Sequence, residues 1–157
     1  MSNKIVLLSG VAGSGKSTKA KELCREKNRG EFVILSTDAL LTHGDHYLWS
    51  GDTCGPGHFL LGKLCNEAMR RKVPLIIIDN TNLTFKDIEK YCDLAIQWSY
   101  DLEIVEPDTT WQYDAQKLFE RNTHNVPLET IERMLSRRQT VESLMNQYNN
   151  KIKVISE

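Results

Sequence analysis

The chain has 157 residues, a formal net charge of −1, 40% hydrophobic and 26% charged residues. That length suits a single domain over 1–157 with a substantial core, and the near-neutral balance excludes a global basic field that would draw in a polyanion. No apolar run approaches the ~20 residues of a membrane helix, and Lys4 before a short apolar run does not read as a signal peptide.

Ile5–Leu8 is a short apolar run of strand formers. It leads directly into GVAGSGKS, Gly10 to Ser17, which fits G-x-x-x-x-G-K-[ST] at every fixed position. The chemistry explains the spelling. Glycines let the backbone curl until successive N–H groups face phosphate oxygens, and the following helix adds its positive end. Lys16 is expected to reach the β- and γ-phosphates and the Ser17 hydroxyl to bind Mg²⁺. The nucleotide-contacting set is read as Gly10, Ala12, Gly13, Ser14, Gly15, Lys16, Ser17 and Thr18, and the nucleotide as ATP or another nucleoside triphosphate. Residues 17–27 read as a helix with Ala20, Leu23 and Cys24 on one face. Residues 1–30 hold seven basic residues against two acids, whereas 31–60 hold acids and no Lys or Arg; surface solvation is the ordinary reading, with local phosphate binding as the alternative.

Phe32–Leu35 is a second strand, followed by STDALL. Asp38 either caps a short helix or, at the ligand edge of a sheet, accepts the proton of an attacking alcohol. Residues 42–57, broken by Gly44, Gly51, Gly55, Pro56 and Gly57, read as a loop. His43, His46 and His58 lie near Asp45 and Cys54, and their spacing matches no metal site, so they are taken as ordinary loop histidines. Phe59–Arg70 has helical spacing, and Pro74 closes it.

Leu75–Ile78 is an apolar run suited to a parallel strand covered on both faces. Asp79 at its end is expected to hold Mg²⁺, directly or through water; an Asx-turn into the helix capped by Thr84 is the other reading. A strand at Leu102–Val105 precedes a helix at 111–121. Arg121 and His124 stand in FERNTHNVP, where one helix yields to another. Arg121 reads as a lid cation for a transferring phosphoryl group or as a cation at a helix C-terminus. The lid spans about 119–138. Arg133, Arg137 and Arg138 read as solvated, with nucleotide or substrate contact as the alternative. After Pro127 one long helix runs to Tyr148, and Ile152–Ile155 is a terminal strand or a tail. Alternating strands and helices define an α/β domain with a mainly parallel sheet. The scattered cysteines Cys24, Cys54, Cys65 and Cys92, with no C-x-x-C, predict reduced thiols in an intracellular protein, cytoplasmic by default and nuclear as the alternative.

Taken together, GVAGSGKS, STDALL, IIIDNTNL and FERNTHNVP resemble the polynucleotide 5′-hydroxyl kinase family and related kinase-like P-loop domains of RNA- and DNA-processing proteins, over roughly residues 3–145. The resemblance implies a P-loop NTPase fold with sheet order 2-3-1-4-5, flanking helices, a helical lid and a tunnel-like acceptor site. It also implies Asp38 as general base and Arg121 as the arginine that meets the transferring phosphate. Leu41 stands where family members can carry an arginine for an acceptor 3′-phosphate, and Asn80 where some carry the strand-end acid. The expected activity is γ-phosphoryl transfer to the 5′-OH end of DNA or RNA. The alternatives are a kinase for a nucleoside, a sugar or a hydroxylated base in DNA, and a non-catalytic nucleotide-binding module.

Overall fold

The apolar runs become parallel strands in the computed structural model, which describes residues 2–40, 42–43, 46–47 and 51–156. Strands β1 (Lys4–Leu8), β2 (Phe32–Leu35), β5 (Leu75–Asp79) and β6 (Asp101–Val105) form one sheet in the order β2-β5-β1-β6. The short antiparallel pair β3 (Thr42–His43) and β4 (His46–Tyr47) lies outside it. The helices are α1 (Lys16–Cys24), α2 (Thr37–Leu40), α3 (Gly51–Arg70), α4 (Phe85–Trp98), α5 (Ala115–Arg121), α6 (Leu128–Arg137) and α7 (Val141–Ser156).

Each sheet strand is parallel to its neighbours, and their carboxyl ends are in register. Leu8 pairs with Asp79 on one side and Val105 on the other, and Leu35 pairs with Ile78. The alternating pleat divides the apolar residues between two faces. Ile5, Leu7, Ile76 and Ile78 pack with residues of α3, α4 and α7, including Leu61, Cys65, Tyr91 and Leu144. Val6, Leu8, Leu75 and Ile77 pack with Ala20 and Cys24 of α1. A third cluster joins Val11, Leu83, Leu118 and Ile131, and so ties the nucleotide loop to the lid.

The α/β P-loop architecture is as expected, while the details of order differ. Among the described residues the sheet has four strands, in the first four positions of the expected 2-3-1-4-5 order. The terminal strand read at Ile152–Ile155 is instead the end of α7. The long final helix is two helices. Gln139 donates its backbone N–H to Leu83 O at 2.7 Å, and its Oε1 accepts from Phe85 N at 2.6 Å, so residues 138–140 leave the helical path. Arg138 is accordingly extended. The helix read at 111–121 starts only at Ala115, because Asp114 caps it by accepting from Lys117 N.

The loop read at 42–57 contains the β3–β4 pair and the first turns of α3. Pro56 lies inside α3 near its start, where the missing N–H forgoes a single ladder bond, and Gly57 is buried. Leu41 and Asp45 fall outside the described residues.

Ile76 is fully buried in the central layer. Ile76→Ala is expected to cost about 2–5 kcal/mol, read as a lower urea midpoint with an unchanged slope, whereas Val154→Ala at the exposed end of α7 stays within about 0.5 kcal/mol of the parent.

Candidate active site

The in-register strand ends bring the four motifs to one edge of the sheet. Gly10 to Ser17 leave β1, Asp38 follows β2, Asp79 ends β5, and Arg121 ends α5 in the lid. Lys16, Ser17, Asp38, Asp79 and Arg121 all line one open cleft of about 1680 Å³.

The nucleotide loop is built as its spelling requires at two points. Gly13 and Gly15 have φ of 84° and 102°, in the left-handed region that side chains resist. Gly15 sits at the start of α1, whose first turn carries no acid. The first amides of a helix lack intrahelical partners, so this end presents donors and a positive pole to an anion. Ala12, Gly13, Gly15, Lys16, Ser17 and Thr18 line the cleft. Gly10 and Ser14 are not among the lining residues. Gly10 N–H donates to Thr81 O at 2.9 Å, and Ser14 is wholly buried behind the loop.

Lys16 Nζ folds back to donate to Val11 O at 3.2 Å. Burial holds its pKa below the ordinary lysine value, with Asp79 and Asp38 pulling the other way. The Ser17 hydroxyl donates to Asp79 Oδ2 at 2.9 Å. These are hard oxygen donors converging beside the phosphate loop, a set that suits Mg²⁺. Burial pushes the Asp79 carboxyl above the usual range; the Ser17 hydroxyl and Lys16 oppose that, while Asp38 adds to it.

Asp38 sits in the first turn of α2. Asp38 lies inside α2, and the side chain that caps the helix is that of Ser36. Ala39 N donates to Ser36 Oγ at 3.3 Å, Thr37 N donates to Asn80 Oδ1 at 3.0 Å, and Thr37 Oγ1 meets His58 Nδ1 at 3.3 Å. Asn80 therefore fastens the Asp38 turn to the end of β5. Across the cleft, His124 Nε2 lies 3.6 Å from Asp38 Oδ2.

The lid is seated on the loop by residues whose part was not visible in the motifs. Trp111 Nε1 donates to Gly13 O at 3.0 Å, and its ring carries the Arg121 guanidinium 3.7 Å from the centroid. Thr109 Oγ1 donates to Ser14 O at 2.8 Å. A Cβ on Gly13 would stand 2.5 Å from Leu118 O and 3.0 Å from Asn122 N. Asn122 closes the RNTHNVP turn: Oδ1 accepts from Val126 N at 2.8 Å and Nδ2 donates to Phe119 O at 2.7 Å. Asn82 plays a matching part at the other wall, donating to Leu8 O at 2.7 Å. Their signal in the sequence is the tolerance of asparagine for tight turns; Asn82 and Asn125 adopt φ of 45° and 54°. Trp111 and Thr109 have no such signal.

Among the described residues, no group of three or more His, Cys, Asp or Glu is placed to hold a metal ion. Of the histidine group considered from sequence, Asp45 lies outside the described residues, as do the side chains of His43, His46 and Cys54. Arg137 lines the cleft, whereas Arg138 stacks on Tyr113 and pairs with Glu106. Among the described residues, no helix is long and apolar enough to cross a membrane.

Comparison with known proteins agrees with this geometry. Residues 5–141 match the AAA domain family, and the chain belongs to it. It is 37% identical over 140 residues to human NEDD4-binding protein 2, a match covering 89% of this chain and 8% of that protein. It is 25% identical over 130 residues to rat 2′,3′-cyclic-nucleotide 3′-phosphodiesterase, covering 83% of this chain and 30% of the relative. The chain thus spans under a third of the curated relatives it matches.

Among solved structures, a chain of the Pnkp1/Rnl/Hen1 RNA repair complex superposes with a TM-score of 0.68 at 17% identity, over 93% of this chain and 46% of that one. The Mycobacterium tuberculosis APS kinase CysC in complex with AMPPNP and APS gives 0.53 at 16% identity over 99% of both chains. The likeness to kinase-like P-loop domains read from the four motifs therefore holds, and the fold is of the P-loop NTPase type.

Two measurements test the site. Gly13→Ala, strained in φ and abutting Leu118 O, is expected to lower stability by on the order of 1–3 kcal/mol and to weaken nucleotide binding, read by calorimetry and titration. Asp79 makes the stability of the unliganded chain depend on pH. Its folded-state pKa lies above the unfolded one, so its contribution to stability is greatest below the unfolded value and falls as pH rises through the folded value. With no nucleotide or divalent cation added, Asp79→Asn is expected to be more resistant to urea than the parent near pH 7. The difference should vanish toward about pH 3.

Proposed function

We propose that this chain is an ATP-dependent kinase that transfers the γ-phosphoryl group to a hydroxyl, with the 5′-OH end of DNA or RNA as its preferred acceptor. The observation that carries this reading is the convergence of phosphate loop, lid cation and two carboxylates on one cleft. A nucleotide switch or passive binding module requires the loop but not a second carboxylate facing it across an open acceptor space.

In this reading the loop amides and Lys16 hold the triphosphate. Ser17 and Asp79 would hold Mg²⁺, which when bound neutralises charge on the phosphate oxygens. Asp38 takes the proton from the acceptor hydroxyl as that oxygen attacks the γ-phosphorus. The bond from the γ-phosphorus to the bridging oxygen breaks, and ADP leaves with the electron pair. Arg121, held over the Trp111 ring, offsets the charge spread over the moving phosphoryl oxygens.

The cleft volume exceeds the about 300–1,000 Å³ of common small-molecule pockets. That leaves room for a chain-like acceptor beside the nucleotide, and the RNA repair complex supports the same choice. A small-alcohol acceptor is favoured instead by the net charge of −1 and by the end-to-end match to APS kinase.

A γ-phosphate transfer screen over 5′-OH oligonucleotides, nucleosides, sugars and internally hydroxylated duplex DNA separates these. The expected product is a 5′-labelled oligonucleotide, with acceptor affinity falling at least about tenfold from low to physiological salt as counterions are released. Labelling of nucleosides or sugars alone, or of internal positions, would move the assignment to those acceptors. ATP binding without any labelled product would leave only a binding module. Asp38→Asn is expected to lose about 10²–10⁴-fold in transfer rate while nucleotide affinity stays within twofold of the parent.

A further inference from the structure

Asp38 is met from the opposite wall of the cleft by His124, Nε2 to Oδ2 3.6 Å. The two side chains come from elements far apart in sequence, and each backbone is fastened independently. On the sheet side, Thr37 is buried and tied to Asn80 and His58. On the lid side, Asn122 closes the turn around His124 with two hydrogen bonds, and Asn125 supplies the left-handed residue. That turn is pressed against the nucleotide loop at Gly13. The meeting of His124 with Asp38 is thus set by how the lid sits on the sheet edge.

Stability does not explain the pair. The histidine and aspartate side chains are 34% and 46% exposed, and ion pairs so open to water add little to folding. Their common location does suggest a use. A carboxylate acting as general base has to present one oxygen along the line of attack, and a second group must restrain its rotation. An imidazole edge at Oδ2 supplies that restraint. The separation is longer than a hydrogen bond, as is common for catalytic contacts that tighten once substrate is in place.

We propose that His124 is a positioning residue for Asp38: the seated lid sets its imidazole against the carboxylate, so the base is aimed only when the lid also covers the cleft. This rests on the kinase reading above. It couples proton removal to lid closure, so that an acceptor is activated only where water is being excluded. Other groups acting electrostatically with Asp38 include Lys16 of the loop, Asp79 of β5 and His58 of α3. Unlike these three, His124 is carried by the lid.

The test compares the full chain with His124→Ala and His124→Gln, alone and combined with Asp38→Asn, using the best acceptor from the transfer screen. His124→Ala is expected to lower kcat by about 10–100-fold with KM for ATP and for acceptor within twofold. His124→Gln, which keeps a donor at similar reach, should recover most of that loss. With Asp38 already Asn, His124→Ala should change the residual rate by less than twofold, because the two residues act as one unit. Thermal melting of both His124 variants should match the parent.

A His124→Ala enzyme with full kcat, a loss confined to KM, or an equal loss with and without Asp38 would each overturn the proposal. Parent enzyme that transfers phosphate while the His124 variants keep the parent kcat removes this inference alone. Parent enzyme that labels no acceptor removes the kinase reading and this inference with it.

Discussion

The parallel pairing of β1 with β5 is the constraint on which the remainder depends. Ile5–Leu8 lies beside Ile76–Asp79 residue for residue, so the loop after one strand and the acid closing the other emerge at the same height. Had the register slipped by one residue, the buried faces would invert and Asp79 would turn away from Ser17. Because both faces of the strands are covered by apolar side chains, that slip would expose or misplace a whole layer of the core. The hydrophobic effect thereby holds a hydrogen bond between a hydroxyl and a carboxylate at the sheet edge.

The second organising contact is the seat of the lid. Val11, a variable position within the phosphate-loop motif, is buried with Leu83, Leu118 and Ile131. Gly13 allows the α5 backbone to come within a distance that any side chain would forbid. Trp111 then links the loop carbonyl to the Arg121 guanidinium through its N–H and its ring face. The lid is consequently no loose cover. Its cation and its histidine are located relative to the loop by packing, and both face the same cleft as the carboxylates.

These two contacts account for an arrangement in which charge is concentrated in a half-buried space. Burial raises the proton affinity of Asp79 and lowers that of Lys16, and each partly offsets the other. Such opposed shifts mark a site whose charged groups are partly desolvated. The surrounding core, with Ile76, Ile77 and Ile78 fully buried next to Asp79, supplies the stability that such a site consumes.

The phosphate loop, its flanking strand and helix, and the edge positions of Asp38 and Asp79 were legible in the sequence because each depends on short-range rules: glycine freedom, apolar runs and the strand-to-helix rhythm. The break at 138–140 and the start of α3 at Gly51 were not. Local spacing favours one continuous helix after Pro127, and only the hydrogen bonds of Gln139 to Leu83 and Phe85 interrupt it. Likewise, nothing near Trp111 or His124 in the chain announces Gly13 or Asp38 as a partner. The sequence by itself determined which side chains are capable of phosphate and proton chemistry, since those capacities are intrinsic to the side chains. Tertiary structure alone decided which of them meet, because a lid residue reaches a strand-end residue only after the distant apolar surfaces between them have packed.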